Sequence, residues 1–365
     1  MGEHDAFWMR RALEIGRRGR FWSGSNPSVG CLLVRDGEVL AEGFTHPEGH
    51  DHAEVHALKQ VADATNATAY VTLEPCAHTG RTGPCVEALI DAGVSRVVIG
   101  LQDPDPRVSG RGIRRLIESG IQVSVGVEEA LCEEALRGFL FRIKRGWGRV
   151  RVKVGMSSDG RTAMASGESQ WITGPDARRD VQVARAESDA ILTGVDTVLA
   201  DDCALTLRRD DWPGSEDDWA RASEHGPIRV VLDSQGRTPS TARILSADAP
   251  TFVLTASELA TERYTNGIAV ASDGEQLDLS VVLSWLGQRG CNDILVEAGS
   301  TLVGSLVAQD LIDEWVIYQA PMLLGSTARP VHTADFDALA DASRYVFVSH
   351  DLIGDDLRII MRRRG

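Results

Sequence analysis

The sequence predicts an α/β protein built from two domains. Short apolar runs suited to buried strands, such as residues 29–34, alternate along the chain with stretches of helical periodicity. At 365 residues the chain is longer than one typical domain. Arg145-Gly146-Trp147-Gly148-Arg149 interrupts a helical stretch and has the character of a short linker. We therefore place the boundary near residue 147, with domains at 1–146 and 147–365.

The composition excludes several classes of function. A net charge of −15 disfavours nucleic acid as a partner, because neutralising phosphates requires clustered Lys and Arg. The N-terminus lacks the pattern of a signal peptide, and no run of about 18 apolar residues is present, so we expect no membrane partner. Six cysteines in 365 residues do not form a disulfide scaffold. The expectation is a soluble protein of a reducing cytoplasm.

The first half alternates strands with helices. Predicted helices cover residues 7–18, 52–64, 86–92, 112–119 and 130–144, and predicted strands cover 29–34, 39–40, 69–73, 95–100 and 121–125. Asp36-Gly37 predicts a hairpin turn between the first two strands. This order of elements favours a layered α/β sheet.

A candidate metal site lies in the stretch 52–85. His52, Cys76 and Cys85 can supply the three protein ligands that a hydrolytic zinc site needs beside its open position for water. Zinc lowers the pKa of that water, and Glu54 is placed to move its proton. His-x-Glu followed by Pro-Cys is the pattern of zinc deaminases, although eight residues separate the cysteines here instead of two.

Two alternatives stand beside the deaminase. A zincin protease needs Glu directly after the first His, whereas Ala53 intervenes here, so we expect His56 on a helix face and not on a metal. His52 and the cysteines could also be ordinary buried side chains. The order of the four residues, with each cysteine after a proline, favours zinc. Helices beginning at His52 and Cys85 would also direct their positive ends at a thiolate.

The second half has the same alternation but no standard nucleotide fingerprint. Predicted strands cover residues 150–155, 190–193, 228–232, 251–254, 294–297, 315–319, 345–347 and 357–361, and predicted helices cover 175–186 and 302–311. The acidic segment 209–227 is predicted to be a solvated surface insertion. No Gly-x-Gly-x-x-Gly follows a strand, which argues against a Rossmann unit. The turn at Glu297–Thr301 could hold a phosphate on free helix N–H groups or could be a plain strand-to-helix turn.

Four segments of the first half, Asn26–Gly30, His52–Leu58, Glu74–Thr82 and Gln102–Pro106, resemble the bifunctional riboflavin-biosynthesis deaminase/reductase family. The resemblance implies a cytidine-deaminase-like three-layer α/β/α domain and a phosphoribosylated diaminopyrimidinone as substrate. The cysteine spacing is normal for that family. Its implied substrate contacts are Asn26, His78 and Arg81, while the family's pocket histidine falls on either Thr45 or His46. The family's proline before the zinc histidine is Asp51 here.

Segments of the second half are similar to the reductase half of the same family. They are Lys153, Ser158–Ala163, Gly167–Ile172, Ala200–Asp202 with Leu205 and Thr206, and Glu297–Gly299. The resemblance implies a dihydrofolate-reductase-like α/β domain that uses NADPH. Its NADPH contacts would be Gly155, Trp171, Thr197, Asp201, Ser234, Gly299, Ser300, Thr301, Leu302, Val303, Gly304 and Ser305. Its substrate contacts would be Ser169, Arg185, Leu205, Arg208 and Glu297, and Asp201 is our candidate proton donor.

The prediction is a bifunctional enzyme of riboflavin biosynthesis. It would hydrolytically deaminate 2,5-diamino-6-(5-phosphoribosylamino)pyrimidin-4(3H)-one with zinc, then reduce the ribosyl chain to ribityl with NADPH. The family suggests a homodimer or homotetramer built through the reductase domains. Two other hypotheses are a deaminase with a nucleic-acid-binding second half, and one live site beside a scaffolding domain. The acidic segment 209–227 weighs against the first, and motifs intact in both halves weigh against the second.

Overall fold

The structure is a computed structural model that describes residues 2–78, 83–106, 108–246, 249–272 and 276–364. The chain divides into two compact units, Met1–Gly146 and Trp147–Gly365. Each unit has its own sheet and its own hydrophobic core. None of the helices in these described ranges combines the length and the apolar character needed to cross a membrane.

The first unit contains a mixed five-stranded sheet within its described residues. Its helices are α1 (Glu3–Gly16), α2 (Ala53–Leu58), α3 (Cys85–Asp91), α4 (Arg111–Glu118), α5 (Glu129–Ala135) and α6 (Arg137–Arg145). Its strands are β1 (Gly30–Arg35), β2 (Glu38–Phe44), β3 (Thr68–Leu73), β4 (Arg96–Leu101) and β5 (Gln122–Val125). The order is β2-β1-β3-β4-β5, with β1 antiparallel to both neighbours and β3, β4 and β5 parallel.

Two glycines show that helices cover both faces of this sheet. A Cβ at Gly30 would lie 1.8 Å from the carbonyl oxygen of Ala12 in α1, and a Cβ at Gly43 would lie 2.0 Å from that of Ala53 in α2. Cys31 is the cross-strand partner of Gly43, so Gly30 and Gly43 point to opposite faces. The unit therefore has the three α/β/α layers that were predicted.

Helix α2 is shorter than predicted, because it ends at Leu58 and not near residue 64. Beyond it, a carboxylate oxygen of Asp63 accepts a hydrogen bond from the N–H of Thr65. The Arg35 guanidinium donates to the Asp63 carboxylate and to the Thr65 carbonyl. These contacts stabilise a turn over the helical alternative, as Asp side chains often do.

The second unit is built around a larger sheet. Its helices are α7 (Pro175–Ala186), α8 (Val195–Asp201), α9 (Glu216–Glu224), α10 (Glu258–Thr261), α11 (Leu279–Gln288) and α12 (Ser300–Ala308). Its strands are β6 (Arg149–Ser157), β7 (Arg161–Ala163), β8 (Ala190–Gly194), β9 (Ile228–Leu232), β10 (Thr251–Thr255), β11 (Gly267–Ala269), β12 (Asp293–Val296), β13 (Glu314–Ala320), β14 (Arg329–Pro330), β15 (Tyr345–Ile353) and β16 (Asp356–Arg363). Short 3-10 turns cover Arg209–Asp211 and Arg243–Leu245 in this unit, and Arg17–Gly19 in the first unit. The acidic segment that was predicted to be a surface insertion contains α9, capped by Ser215.

The large sheet has the order β11-β10-β9-β8-β12-β6-β13-β16-β15 in the described part of the chain. In this order, the strands β11, β10, β9, β8, β12, β6 and β13 are parallel to one another. The antiparallel hairpin β15–β16 pairs with β13 and forms one edge of the sheet. Central strands β12 and β8 are almost wholly apolar and buried, as strands covered on both faces must be. The mixed sheet agrees with the predicted dihydrofolate-reductase-like class, and the predicted C-terminal β pair is the hairpin.

Candidate active sites

His52, Cys76 and Cys85 come together in the first unit. His52 is the N-cap of α2, Cys85 opens α3, and Cys76 follows the end of β3. His52 Nδ1 lies 3.6 Å from Cys76 Sγ and 3.3 Å from Cys85 Sγ. Within the described ranges, this trio is the group of His, Cys, Asp and Glu side chains found close enough to hold a metal, with ligand atoms within 4.8 Å of one another.

The spacing of the three ligand atoms suits a tetrahedral zinc ion. With Zn–S near 2.3 Å and Zn–N near 2.0 Å, tetrahedral geometry places ligand atoms roughly 3.5–3.8 Å apart. The two measured N···S distances, 3.6 and 3.3 Å, are close to that range. Two thiols and one imidazole are also a donor set that zinc favours, and three protein ligands leave a fourth position open. The residues therefore fit the ion.

The protein itself favours a thiolate at Cys76. Hydrogen bonding from the Cys85 thiol, and then from the His52 ring, lowers the pKa of Cys76 to about 4 although burial opposes this. The backbone N–H of Cys85 also donates to Cys76 Sγ at 3.4 Å. A low thiol pKa is characteristic of cysteines that act as metal ligands or nucleophiles.

Glu54 is the buried carboxyl beside this trio. It lies in the first turn of α2, two residues from His52. Burial, and then the negative charge of Cys76, raise the pKa of Glu54 to about 7, while the charge of His52 opposes the shift. A carboxyl group with a pKa near neutral can both accept and return a proton at physiological pH.

Glu74 has a structural role that the sequence did not reveal. Its buried carboxylate accepts four backbone N–H bonds, from Asp103 at 3.3 Å, Gly110 at 3.0 Å, Gly112 at 3.0 Å and Ile113 at 3.3 Å. The segment that carries Cys76 is thereby tied to the start of α4. An acidic residue directly after a buried strand was the available signal, but its distant partners had no signature in the sequence.

The contacts of Thr45 and His46 favour one of them as the residue that lines the pocket. The Thr45 hydroxyl is buried and accepts the N–H of Val29 at 3.0 Å, so it holds the chain together locally. His46 is half-buried, with its ring 4.9 Å from that of Trp22 and 4.2 Å from that of His56. His46 is therefore the better candidate for a pocket residue.

His56 serves the fold and not the metal cluster. Its Nδ1 accepts the backbone N–H of Phe44 at 3.2 Å, which ties α2 to the end of β2. This agrees with the expectation that His56 lies on a helix face.

The other predicted pocket residues are less defined by contacts. Asn26 is half-buried, and its N–H donates to the Ser23 carbonyl at 3.2 Å. His78 is exposed, and Arg81 lies outside the described residues. Asp103 belongs to the motif Gln102–Pro106, but no role of its own was predicted for it. It is buried, and burial raises its pKa to about 6 although the charge of His78 acts in the other direction.

In the second unit, Glu297 is the centre of a buried ionic cluster. Arg185 donates to both of its carboxylate oxygens, from Nε at 2.6 Å and from the terminal nitrogen at 3.1 Å, and Lys153 Nζ lies 3.1 Å away. Burial favours the neutral acid, but the charges of Arg185 and Lys153 together lower the pKa of Glu297 far below its usual range. The cluster therefore fixes a carboxylate in the interior.

Two segments predicted to contact the cofactor meet at the start of α12. The N–H of Gly299, the N-cap of α12, donates to the Thr197 hydroxyl of α8 at 3.1 Å. Val303 and Gly304 are buried, Leu302 packs against the core, and the Ser305 hydroxyl donates to the Thr301 carbonyl. A ligand at this place would therefore meet the first turn, around Gly299, Ser300 and Thr301.

The remaining predicted cofactor contacts are dispersed along the second unit. Trp171 is 63% exposed, and the Arg178 guanidinium lies 4.3 Å from its ring centroid. Gly155 lies in β6, where a Cβ would approach the Thr173 side chain to 3.2 Å. Ser234 follows β9, and its carbonyl accepts the N–H of Ala256. Asp201 ends α8; burial raises its pKa, and the charge of Arg329 opposes this.

Two of the predicted substrate residues, Leu205 and Arg208, lie in the segment 204–208, and Arg185 contacts it. Arg185 donates to the Thr206 carbonyl at 3.0 Å, which joins the Glu297 cluster to this segment. Leu205 is buried with a positive φ of 51°, and Arg208 is exposed with Nε 2.6 Å from Asp211. Ser169 is half-buried in the irregular segment after β7.

Models of two known families match separate parts of the chain. The model of the cytidine and deoxycytidylate deaminase zinc-binding region matches residues 2–101. The model of the RibD C-terminal domain matches residues 149–358, which is more than half of the chain.

Relatives of known identity match over almost the full length. The riboflavin biosynthesis protein RibD of Escherichia coli is 46% identical over 361 residues, covering 97% of this chain and 98% of that protein. RibD of Haemophilus influenzae is 42% identical and covers 99% and 98%. Among solved structures, Acinetobacter baumannii RibD has a TM-score of 0.90 at 42% identity, with 99% of both chains covered. A Thermotoga maritima enzyme described as a diaminohydroxyphosphoribosylaminopyrimidine deaminase/5-amino-6-(5-phosphoribosylamino)uracil reductase has a TM-score of 0.85 at 29% identity, also with 99% covered. The chain belongs to the RibD family of riboflavin biosynthesis proteins.

Proposed function

We propose that this chain catalyses two successive steps of riboflavin biosynthesis. The first would be deamination of 2,5-diamino-6-(5-phosphoribosylamino)pyrimidin-4(3H)-one, and the second reduction of the ribosyl chain, giving 5-amino-6-(5-phosphoribitylamino)uracil. The observation that carries this proposal is the approach of His52 Nδ1 to both cysteine sulfurs beside Glu54. It occurs in a chain whose second half matches the RibD C-terminal domain.

We assign the deamination to residues 1–146. Zinc held by His52, Cys76 and Cys85 would supply a water of lowered pKa at its open position. Glu54 would accept a proton from that water as the water oxygen bonds to the amino-bearing ring carbon. It would then deliver the proton to the amino group, so that the C–N bond breaks and ammonia leaves. The position of Glu54, buried in the first turn of α2 beside His52, supports both transfers. The substrate would be held by Asn26, His46, His78 and Arg81.

We assign the reduction to residues 147–365. NADPH would supply the hydride to C1 of the ring-opened ribose. The carboxylate of Glu297 is held rigidly by two cations and can orient a sugar hydroxyl. Arg208 is exposed and suits a sugar phosphate, because its guanidinium can fork onto two phosphate oxygens. Asp201, at the end of α8, is the proposed proton donor to the reduced chain, and partial desolvation raises its pKa.

A stepwise assay of the full chain tests both activities. Zinc-loaded protein is first given the diaminopyrimidinone substrate while ammonia is measured, and NADPH is then added while its absorbance is followed. We expect ammonia first, then NADPH oxidation that depends on the earlier step. Ammonia without NADPH oxidation would refute the reductase assignment, and no ammonia from zinc-loaded protein would refute the substrate. Asp201→Asn is expected to abolish reduction and spare ammonia release.

We further propose that two copies associate through the hairpin β15–β16. β15 is the edge strand of the large sheet, and its side chains include Phe347 at 72% exposure and Leu352 at 76%. An open edge with exposed apolar side chains can pair with the same edge of a second copy about a two-fold axis. Sedimentation velocity of Phe347→Lys/Leu352→Lys should give a lower mass than the wild type, and an unchanged mass would refute this interface.

The location and partners follow from the same proposal. The six cysteines are free thiols, which suits the reducing cytoplasm predicted from the sequence. We propose that location, with the small phosphorylated pyrimidine and NADPH as the molecules bound.

A further inference from the structure

The segment 202–208 has neither helix nor strand, yet it carries two proposed substrate contacts, Leu205 and Arg208. It begins at Asp202, which has a φ of 41° and accepts the N–H of Arg243 at 2.9 Å. Leu205 has a φ of 51°, which non-glycine residues adopt only where the surroundings impose it. The conformation of this segment is therefore set by side chains from other elements.

Arg229 holds the segment at Ala204. It is 0% exposed on β9 and donates to the carbonyl of Ala204 at 2.9 Å. It also donates to the carbonyls of Ser246 and Ala249. A guanidinium is costly to bury, so one that is directed at main-chain carbonyls is a strong constraint on the segment it contacts.

Gln182 holds the other end. It is 0% exposed on α7, and its Oε1 accepts the backbone N–H of Arg208 at 3.0 Å. Its Nε2 has no hydrogen-bond partner in the described part of the chain. A buried amide with one end unsatisfied is a poor choice for stability alone, which points to a role for the end that is bonded. Arg185, one turn later on α7, donates to Thr206 in the same segment.

We propose that Gln182 is a positioning residue for the reductase substrate, and that Arg229 assists it from the opposite end of the segment. Gln182 fixes the backbone at Arg208 so that this guanidinium is directed at the phosphorylated sugar, while Arg229 fixes Ala204 ahead of Leu205. This inference rests on the proposed function, since it takes Leu205 and Arg208 as substrate contacts. Gln182 would then govern the KM for the pyrimidine and leave the KM for NADPH unaffected.

Kinetics of the full chain test the inference, with Gln182→Leu and Gln182→Glu compared. The leucine removes the acceptor, whereas the glutamate keeps an oxygen for the Arg208 N–H. We expect Gln182→Leu to raise the KM for the deaminated pyrimidine about tenfold, which is the effect of losing one positioning hydrogen bond. The KM for NADPH should stay within about twofold, and Gln182→Glu should restore most of the loss.

Controls separate this role from a general loss of structure. Gln288→Leu replaces an exposed glutamine at the end of α11 and should leave both KM values unchanged. Gln182→Met, which keeps the side-chain length, repeats the test if Gln182→Leu fails to fold. A rise in both KM values, or in neither, would overturn the inference while the wild type remained active. A wild type that fails to oxidise NADPH with this substrate would instead overturn the proposed function, and the inference with it.

Discussion

The two candidate sites are assembled from the sequence in different ways. The proposed metal ligands and Glu54 all lie between residues 52 and 85, and each of these ligands lies at or near the end of a helix or strand. In the second unit, Arg185 and Glu297 are 112 residues apart and meet only because α7 packs near the end of β12. A site confined to one stretch leaves a spacing pattern that can be recognised, whereas a site assembled over long range leaves separate residues.

The two sites also differ in the environment that each gives to a glutamate side chain. Glu54 and Glu297 are both buried glutamates. Burial and a neighbouring thiolate raise the pKa of Glu54 to about 7, whereas two cations lower that of Glu297. The first environment suits the proton carrier proposed for Glu54, and the second holds Glu297 as an anion. Predicting which role a buried glutamate plays therefore requires knowing its neighbours.

The largest expected effect comes from removing one metal ligand. Cys76→Ala leaves two protein ligands, so zinc should be lost and ammonia release should fall by at least about 10³-fold. NADPH oxidation with deaminated substrate supplied directly should stay within about twofold, because the second unit has its own core. Zinc content by mass spectrometry and the two separate assays provide the measurement.

Cys132→Ala is the matched control for that variant. Cys132 is also a buried free thiol of the first unit, but it lies on α5 outside the metal cluster. It should retain a full equivalent of zinc. Loss of zinc in both variants would mean that the first unit is unstable to any cysteine change, and the comparison of local with long-range assembly would fail there.

The next effect is in the long-range site. Glu297→Gln leaves Arg185 and Lys153 without their carboxylate, so we expect a loss of about 3–5 kcal/mol in the stability of the second unit. Reduction should fall at least about 100-fold while ammonia release is retained. Denaturant unfolding and the two assays provide the measurement, with the exposed Glu262→Gln as control. A variant as stable as the wild type would show that the ionic cluster does not hold the site together.

The stability lost in Glu297→Gln should depend on pH, and the direction of that dependence follows from the pKa of Glu297. The pKa of Glu297 is lower in the folded chain than in the unfolded chain, so its contribution is complete above the unfolded value of about 4.3. It is lost as the pH falls towards the folded value. The stability difference between wild type and Glu297→Gln should therefore be constant from about pH 7 to 5 and shrink below pH 4. A difference that grows in acid would contradict the assignment of Glu297 as a fixed anion.

How much the sequence predicts follows from the range of each interaction. The layered α/β class and the C-terminal hairpin rest on local periodicity, and both agree with the structure. The proposed metal trio rests on spacing, and the structure brings its three side chains together. The helix from His52 was predicted too long, because the turn at Asp63 depends on Arg35, which lies in strand β1. Gln182 was missed for the same reason, and so was the structural role of Glu74, although Glu74 lies in a family motif; the partners of both are backbone groups of distant segments. A contact with main-chain atoms far along the chain leaves no pattern in the sequence around the residue.

The smallest effect tests whether the local site also depends on a long-range contact. Glu74 accepts four backbone N–H groups, and Glu74→Gln replaces one acceptor oxygen by an N–H₂ that would face donors. We expect a loss of about 2 kcal/mol in stability and zinc binding about tenfold weaker by chelator competition, as for other residues that support metal ligands. Glu87→Gln, which breaks only a partly exposed ion pair with Arg115, should cost less stability than Glu74→Gln and leave zinc affinity unchanged. If Glu74→Gln kept the zinc affinity of the wild type, the metal site would be as self-contained as its spacing in the sequence suggests. Weaker zinc binding would show that even a motif that can be recognised within 34 residues depends on contacts with the rest of its fold.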